Sequence, residues 1–488
     1  MFLGIDLGTS AVKLLLLGEK GEIIKSLSKE YLVYYYNGNW AEQNPEDWWK
    51  SVSEGIFEIL DKDTCLKLKG ISFSGQMHGL VMLDKNDEVI RPAILWCDQR
   101  TEEECKKLNS LPWLGEITGN QALTGFTAPK ILWVKENEPD NFKKISKIML
   151  PKDYIAYKLS GVHATDVSDA SGTLILNVSN RCWASEMIKF LGIKEENLGK
   201  VYESYEVIGN IKSEIADFFN INKDVKIVIG GGDQAVGAVG VGAIREGVLS
   251  LALGTSGVIF TSTEEYRFDK KYRLHSFCDA NGKYHQMGVM LSAASAFKWW
   301  VEEVNNSEDY LHYNKIAEKS VIGANNLFFL PYLIGERTPH NDSKVKGSFI
   351  GLTHSHKNPD LTRAVLEGVA FALRDSFELI REMGIKVDKV RISGGGSKSN
   401  LWKQILADVL SKPIISIDSA SEGPALGAAI LAAVGCNQYE NIEKASSEIV
   451  KEIEIYEPIK ENVDKYNLSY KKFKKLYPLL KDFFREDN

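Results

Sequence analysis

The chain has 488 residues, 44% of them hydrophobic, which is enough for two or more domains with sizeable cores. Its formal net charge of −7 argues against nucleic acid and anionic membranes as partners, because both select basic surfaces. Because it has no apolar run near the roughly 20 residues of a membrane span, no secretory signal and no C-x-x-C pair among its six cysteines, we expect a cytoplasmic protein with free thiols.

A strand, a tight turn and a second strand open the chain. Residues 2–6 and 11–17 are apolar and predict the strands, and Leu7-Gly8-Thr9-Ser10 predicts the turn. The same four letters return at Leu253-Gly254-Thr255-Ser256, between predicted strands 248–253 and 257–262. Glycine lets the backbone approach a ligand closely, and the hydroxyl and N–H groups that follow suit phosphate oxygens. The repeat indicates a duplicated, two-lobed molecule that holds one nucleotide through Gly8, Thr9, Ser10, Gly254, Thr255 and Ser256.

The two copies differ in one residue that bears on chemistry. Asp6 precedes the first turn, whereas Ala252 precedes the second. A carboxylate beside a phosphate-binding turn is suited to a metal ion or to charge control. We therefore predict that Asp6 is a catalytic residue with a metal-binding or charge role on one side of the nucleotide only, a metal ion being held directly or through water.

Two strand ends in the first half carry side chains suited to a small polyol. A strand over residues 70–75 leads into Gln76-Met77-His78, and a strand from about residue 89 to Trp96 leads into Cys97-Asp98. Amide, imidazole and carboxylate groups bind hydroxyls, a thioether contacts carbon atoms, and an indole stacks on a sugar face. The predicted substrate contacts are therefore Gln76, Met77, His78, Trp96 and Asp98. The alternatives are that His78 is a structural group and that Trp96 belongs to the core.

Asp233 is the main candidate for catalysis. A buried strand over residues 225–229 is predicted to end in Gly230-Gly231-Gly232, and Asp233 follows at the start of a helix that reaches about residue 243. Ligand clefts of α/β proteins form at such carboxyl ends of strands. We predict that Asp233 takes a proton from a hydroxyl nucleophile as a general base and contacts the substrate. The alternative is a helix N-cap, because aspartate is favoured there.

The second half repeats the pattern of strands, glycine turns and helices. Helices are predicted over 290–304, 360–383, 400–411 and 424–435, strands over 388–393 and 413–418, and a mostly helical tail from about 440. The strand 388–393 ends in a glycine run that opens the next helix, an arrangement suited to adenosine but equally typical of a plain loop. The candidate nucleotide contacts there are Gly394, Gly395, Gly396, Ser397, Lys398 and Asn400. The lobe boundary is expected near 245, between lobes 1–245 and 246–488.

Together these motifs resemble the FGGY family of carbohydrate kinases. Residues 125–133 (GFTAPKILW) resemble the first family signature, and residues 347–367 resemble the second. IDLGTS at 5–10, GQMHG at 75–79 and FLPYLIGERTPH at 329–340 add to a resemblance that covers nearly the whole chain. It implies an α/β molecule with duplicated domains around a central cleft, on the ribonuclease H-like or actin-like ATPase fold.

The resemblance also implies an activity. It implies phosphoryl transfer from the magnesium complex of ATP to D-xylulose in pentose catabolism. Asp233 would be the base, Met77 and His78 would contact the ketose, and Asp6 would lie on the side of the Mg²⁺ ion. The sugar would bind the N-terminal lobe, the nucleotide would bind the C-terminal lobe, and a homodimer is expected. Three alternatives stay open: a kinase for L-ribulose, L-xylulose or glycerol, an actin- or chaperone-like ATPase, and a non-catalytic sugar sensor. Cys97 stands where some members have Asn, which bears on hydroxyl preference.

Overall fold

The structure is a computed structural model of the chain and describes residues 1–486. Two seven-stranded sheets form its framework, one in each half. The first runs in the order Val207–Asn210, Lys226–Val228, Gly70–Gly75, Phe2–Leu7, Ala11–Leu17 and Ile23–Glu30, with Gly231–Gly232 also paired to Gly70–Gly75. The second runs in the order His275–Cys278, Tyr284–Met290, Gly257–Thr263, Gly247–Leu253, Val387–Ser393, Ile414–Ile417 and Glu452–Tyr456.

The two sheets repeat one topology. In each, an antiparallel hairpin around a Leu-Gly-Thr-Ser turn lies beside two parallel strands and an antiparallel edge strand. The hairpins are Phe2–Leu7 with Ala11–Leu17 and Gly247–Leu253 with Gly257–Thr263. The prediction of a duplicated two-lobed α/β molecule, made from the repeated turn, is confirmed.

Helices and short strands cover the two sheets. The helices are Pro45–Ile59, Lys62–Lys67, Glu102–Asn109, Leu114–Thr118, Thr127–Asn137, Pro139–Lys144, Pro151–Ser160, Val167–Ser171, Ser185–Leu191, Ser213–Phe219, Asp233–Gly240, Ala294–Trp299, Tyr310–Glu318, Asn358–Glu382, Asn400–Leu410, Gly423–Gly435, Ile442–Ile449, Lys460–Phe473 and Leu476–Leu480. The short strands are Tyr34–Tyr36, Trp40–Gln43, Val81–Leu83, Ala93–Ile94, Lys147–Met149, Ala164–Asp166, Leu176–Asn177, Cys182–Trp183, Lys200–Tyr202, Phe328–Leu330 and Ser348–Ile350. Within residues 1–486, no helix combines the length and the apolar character needed to span a bilayer.

Three sequence predictions of local structure were wrong in extent. The strand predicted from residue 89 to 96 is reduced to Ala93–Ile94, because Pro92 lacks the N–H that a ladder needs. The helix predicted over 290–304 begins only at Ala294, because strand Tyr284–Met290 continues to Met290. The tail contains the edge strand Glu452–Tyr456, whose alternating Glu and Ile had not been assigned as a strand.

Two helices cross at glycines beneath the first sheet. Helix Gly423–Gly435 comes from the second half of the sequence but packs against Phe2–Leu7 and Gly70–Gly75 of the first sheet. It also crosses helix Asp233–Gly240 so closely that a Cβ added at Gly240 would overlap the carbonyl oxygen of Gly423. Helix Asp233–Gly240 is therefore attached at its start to strand Gly231–Gly232 and packed at its last residue against a second helix.

We expect Gly240→Ala to destabilise the protein by about 1–3 kcal/mol, because the backbone of the crossing helix must move to admit the methyl group. Gly237→Ala on the same helix is the matched control, since a Cβ there would lie 3.5 Å from Pro424, in ordinary contact. Urea-induced unfolding of both variants measures the difference. Equal transition midpoints for the two variants would contradict the close crossing.

Candidate active site

Two predicted catalytic residues lie at the side of the first sheet where its parallel strands have their carboxyl-terminal ends. In the parallel pairing, Asp6 lies opposite Ser74, and Gly231 lies opposite Ser74 on the other side. Asp233 follows two residues after Gly231, as the first residue of helix Asp233–Gly240. Asp6 and Asp233 therefore lie near strand ends on the two sides of strand Gly70–Gly75, where α/β proteins place ligand clefts.

Asp6 is half-buried, and its surroundings leave one oxygen unsatisfied. Its Oδ1 atom is buried and has no hydrogen-bond partner within residues 1–486. Burial raises the pKa of Asp6 to about 6, whereas the nearby Ser74 hydroxyl and the Lys13 ammonium oppose the rise. A buried, unpaired carboxylate oxygen needs a donor or a cation, so the site fits a metal ion or another electrophilic partner.

Asp233 is half-buried at the same edge. Burial raises the pKa of Asp233 to about 7, and the negative charge of Asp6 raises it further in the same sense. The N-cap of its helix is Gly232, so the alternative that Asp233 is itself the N-cap was wrong. A carboxyl whose pKa lies near neutrality can accept a proton at physiological pH and release it again.

Met77 and His78 lie next to the backbone that leads to Asp233. A Cβ added at Gly232 would lie 2.9 Å from the Sδ atom of Met77, so the thioether packs on that glycine. The Nδ1 atom of His78 donates to the carbonyl oxygen of Gly172 at 2.7 Å, and burial lowers the pKa of His78 to about 3. The imidazole is therefore neutral and leaves its Nε2 atom as an acceptor.

The other predicted sugar contacts have different surroundings. Trp96 is 39% exposed and its Nε1 donates to Thr9 Oγ1 at 2.9 Å, so the alternative that it belongs to the core was wrong. Gln76 is buried and its Nε2 donates to Gln43 at 3.0 Å. Its Oε1 has no partner in the described part of the chain. Asp98 is fully buried, and both its oxygens accept from Arg100. The pairing of Asp98 with Arg100 favours a structural role for Asp98. Sugar contact by Gln76, Trp96 and Asp98 stays a prediction.

Both Leu-Gly-Thr-Ser segments form the predicted turns between strands. The N–H of Gly8 donates to the carbonyl of Ala11 at 3.0 Å, and the N–H of Gly254 donates to that of Ser256 at 3.1 Å. Ser10 is exposed, and so is Thr255. Ser10 and Thr255 are thus accessible at the ends of the two hairpins.

The second glycine run lies against the second turn. A Cβ added at Gly394, which has φ +84°, would lie 2.7 Å from the backbone of Leu253, so only glycine permits this approach. A short 3-10 turn, Gly395–Lys398, follows, and Ser399 caps helix Asn400–Leu410. The predicted nucleotide contacts of the second half are therefore neighbours in space.

Sequence reasoning missed a buried charged cluster beneath these strand ends. The Lys152 ammonium lies 2.6 Å from Asp153 and 3.0 Å from Asp166, and 4.0 Å from Asp169. These four residues, which we call the Lys152 cluster, are at most 2% exposed. The available signal was the Lys152-Asp153 pair within an apolar stretch, because charged residues are rarely buried unless they are paired.

Lys130 is a second buried lysine that the sequence analysis did not assign. Its Nζ donates to the carbonyl oxygens of His78 at 2.8 Å and Gly125 at 2.7 Å, and burial lowers its pKa to about 7. His78 has φ +68°, a conformation that non-glycine residues rarely adopt. Lys130 thus helps to hold the backbone that positions the imidazole.

The repeated sheets, the paired turns and the carboxylates at the strand ends define a two-lobed kinase of the actin-like ATPase fold. Comparison with known families agrees: residues 1–240 match the N-terminal domain and residues 249–436 the C-terminal domain of the FGGY family of carbohydrate kinases. The chain belongs to this family. It is a sugar kinase, for which the family implies ATP as the phosphoryl donor.

The chain aligns along nearly its whole length with curated relatives. It is 38% identical to a xylulose kinase of Bacillus subtilis (strain 168), with 98% of this chain and 97% of that protein covered. It is 39% identical to a xylulose kinase of Escherichia coli (strain K12), with 98% and 99% covered. Among solved structures, a ligand-bound xylulose kinase from Lactobacillus acidophilus has a TM-score of 0.94 at 28% identity, with 100% and 99% of the chains covered.

Proposed function

We propose that this kinase transfers the γ-phosphoryl group of ATP to the terminal hydroxyl of D-xylulose and so forms D-xylulose 5-phosphate in pentose catabolism. The xylulose kinases that align with nearly the whole chain support the choice of sugar. The observation that carries the chemistry is the placement of Asp233 beside Asp6 at one sheet edge, with its pKa raised to about 7.

In this proposal Asp233 is the general base. The sugar hydroxyl oxygen attacks the γ-phosphorus, the bond from that phosphorus to the ADP oxygen breaks, and the hydroxyl proton passes to the Asp233 carboxylate. Such a base contributes about 10²–10⁴-fold to the rate. The remaining catalysis in phosphoryl transfer comes from alignment and charge neutralisation.

Asp6 fits a magnesium ion that arrives with the nucleotide. Mg²⁺ is usually held by one or two carboxylates together with substrate phosphates and water. Asp6 offers one buried carboxylate oxygen that has no protein partner, which matches that coordination. Residues 1–486 contain no group of three candidate metal ligands. When bound, the ion would neutralise phosphate charge, and Asp6 would hold it directly or through water.

Residues of both lobes would contact the substrates. The turn at Gly8-Thr9-Ser10 would contact phosphates from the N-terminal lobe (1–245), and the turn at Gly254-Thr255-Ser256 from the C-terminal lobe (246–488). The adjoining Gly394–Asn400 segment would hold adenosine. Met77 would contact sugar carbons, and the Nε2 atom of His78 would accept a sugar hydroxyl. The neighbouring positions of these residues around Gly232, Gly172 and Leu253 support this division.

A substrate panel tests the choice of sugar. We expect ADP release, followed by a coupled assay, to give the highest kcat/KM with D-xylulose among D-xylulose, L-ribulose, L-xylulose and glycerol. A higher kcat/KM with another member of the panel would overturn the substrate and keep the kinase. ATP turnover that does not depend on any sugar would instead support an actin- or chaperone-like ATPase.

A further inference from the structure

A chain of hydrogen bonds ties the Lys152 cluster to the backbone that precedes Asp233. The carboxylate of Asp166 caps the short helix Val167–Ser171 through the N–H of Ser168 at 2.8 Å. The same oxygen, Oδ2, also accepts the hydroxyls of Ser168 at 2.5 Å and Ser204 at 2.7 Å. Three donors on one carboxylate oxygen exceed what capping requires, so Asp166 also organises the residues around it.

Ser168 connects Asp166 to strand Gly231–Gly232, which leads to Asp233. The Ser168 hydroxyl donates its only proton to Asp166 Oδ2, so its oxygen is left to accept the N–H of Gly232 at 3.1 Å. Gly232 is the N-cap of the helix that begins with Asp233. The direction of the chain is therefore fixed, from the Gly232 N–H through the Ser168 hydroxyl to Asp166.

The Ser168 side chain packs closely against strand Gly231–Gly232. A Cβ added at Gly231 would lie 2.6 Å from the Ser168 oxygen and 3.2 Å from Asp166 Oδ2. The Lys152 ammonium lies 3.0 Å from Asp166 Oδ1 and so pairs with the other oxygen of that carboxylate. Lys152 also packs under the other strand end, since its Cβ lies 2.9 Å from the position of a Cβ at Gly75.

Asp233 needs such external support because its own strand supplies little. Strand Gly231–Gly232 has two residues, and Gly230 before it has φ +71°, so the backbone is intrinsically flexible. A displacement of about 1 Å in a catalytic group can reduce the rate by about 10²-fold. Alignment of the base therefore depends on groups outside its own strand.

We propose that Ser168 is a positioning residue for catalysis: held by Asp166 and Lys152, its hydroxyl fixes Gly232 and thereby aims the Asp233 carboxylate at the sugar hydroxyl. The inference rests on the proposed function of Asp233. Ser168 itself is fully buried and acts through Gly232 rather than on the substrate.

The test compares three buried serines. Ser168→Ala removes the acceptor of the Gly232 N–H, and we expect kcat with D-xylulose to fall on the order of 10–100-fold, with KM for ATP changed less than about 3-fold. Ser204→Ala removes another donor to the same Asp166 oxygen, and Ser171→Ala removes a hydroxyl from the same helix that bonds Val167 and Cys278. Both controls should keep kcat within about 3-fold of wild type. An equal loss of kcat in all three variants, or none in Ser168→Ala, would overturn the proposal.

A double-mutant cycle separates this proposal from the one on which it rests. If Ser168 acts through Asp233, Ser168→Ala has no further effect on kcat in the Asp233→Ala background. An equal effect in both backgrounds overturns the positioning role alone, whereas wild-type kcat in Asp233→Ala overturns the base assignment. Should Ser168→Ala not fold, Ser168→Thr keeps the hydroxyl. A folded threonine variant with kcat near wild type supports the proposal, and one with the loss expected for alanine overturns it.

Discussion

Replacement of Asp233 by alanine is expected to lower kcat by at least about 10²-fold, because the reaction loses the group that accepts the sugar proton. Affinity for ATP should stay nearly unchanged, since the predicted phosphate and adenosine contacts lie on the turns at Gly8 and Gly254 and on the Gly394 segment. Steady-state kinetics with D-xylulose, together with nucleotide-binding titrations, measure both quantities. A variant that keeps a tenth of wild-type kcat would contradict the assignment.

The isosteric variant and the pH profile sharpen this test. Asp233→Asn keeps the shape of the side chain but cannot accept the proton, so it should lose as much kcat as alanine. In the wild-type enzyme, burial raises the pKa of Asp233 to about 7. The reactive carboxylate is therefore lost as the pH falls through that value, and kcat/KM for the sugar should decline on the acid side. A kcat/KM that is flat between pH 5 and 8 would count against a base with this pKa.

Replacement of Lys152 by methionine is expected to destabilise the fold by about 3–5 kcal/mol, because it leaves Asp153, Asp166 and Asp169 without a buried counter-ion. Lys158→Met, on the same helix Pro151–Ser160, is the matched control. Lys158 pairs with Glu46 at a partly exposed site, where ion pairs contribute about 0–1 kcal/mol. Urea unfolding at neutral pH measures both variants, and equal midpoints would contradict a structural role for the cluster.

The effect of Lys152→Met should shrink at low pH. Burial raises the pKa of Asp169 well above its ordinary value, and the Lys152 ammonium opposes that rise. Without the ammonium, the folded-state pKa rises further above the unfolded value. A carboxyl whose pKa is higher in the folded than in the unfolded state does not reduce the free energy of unfolding at a pH below its unfolded-state pKa. It reduces that free energy as the pH rises from there through the folded-state pKa. The stability difference between wild type and variant should therefore be smaller at pH 5 than at pH 8.

Several features of the site could be predicted because they are local in sequence. The repeated Leu-Gly-Thr-Ser turns follow from apolar segments that flank a glycine, and both form where the sequence placed them. Asp233 follows a predicted buried strand and three glycines, which marks a strand end, although the choice between base and N-cap needed the structure. Pro92 explains why the strand predicted from residue 89 to 96 is reduced to two residues.

Other features depend on contacts between residues far apart in the chain. The sequence predicts a sugar contact for Asp98, and only the structure shows that its carboxylate also accepts the N–H groups of Arg100 and Ala41. The Lys152 cluster joins residues of two helices and a strand, and only its first two members are adjacent in sequence. A sequence pattern shows that a residue is polar, but whether its partner is a neighbouring side chain or a ligand depends on tertiary packing.

The sequence by itself determined the duplicated α/β architecture, the two turns and the acidic residues at the strand ends, because short apolar strands, glycine turns and the polar residues that follow strands are set by local backbone preferences. Only the tertiary structure decided that Asp6 and Asp233 share one edge, that Gly394 lies against the second turn, and that helix Gly423–Gly435 supports the first sheet. Those outcomes require strand register and the close approach of distant backbones, which are fixed by non-local hydrogen bonds and packing.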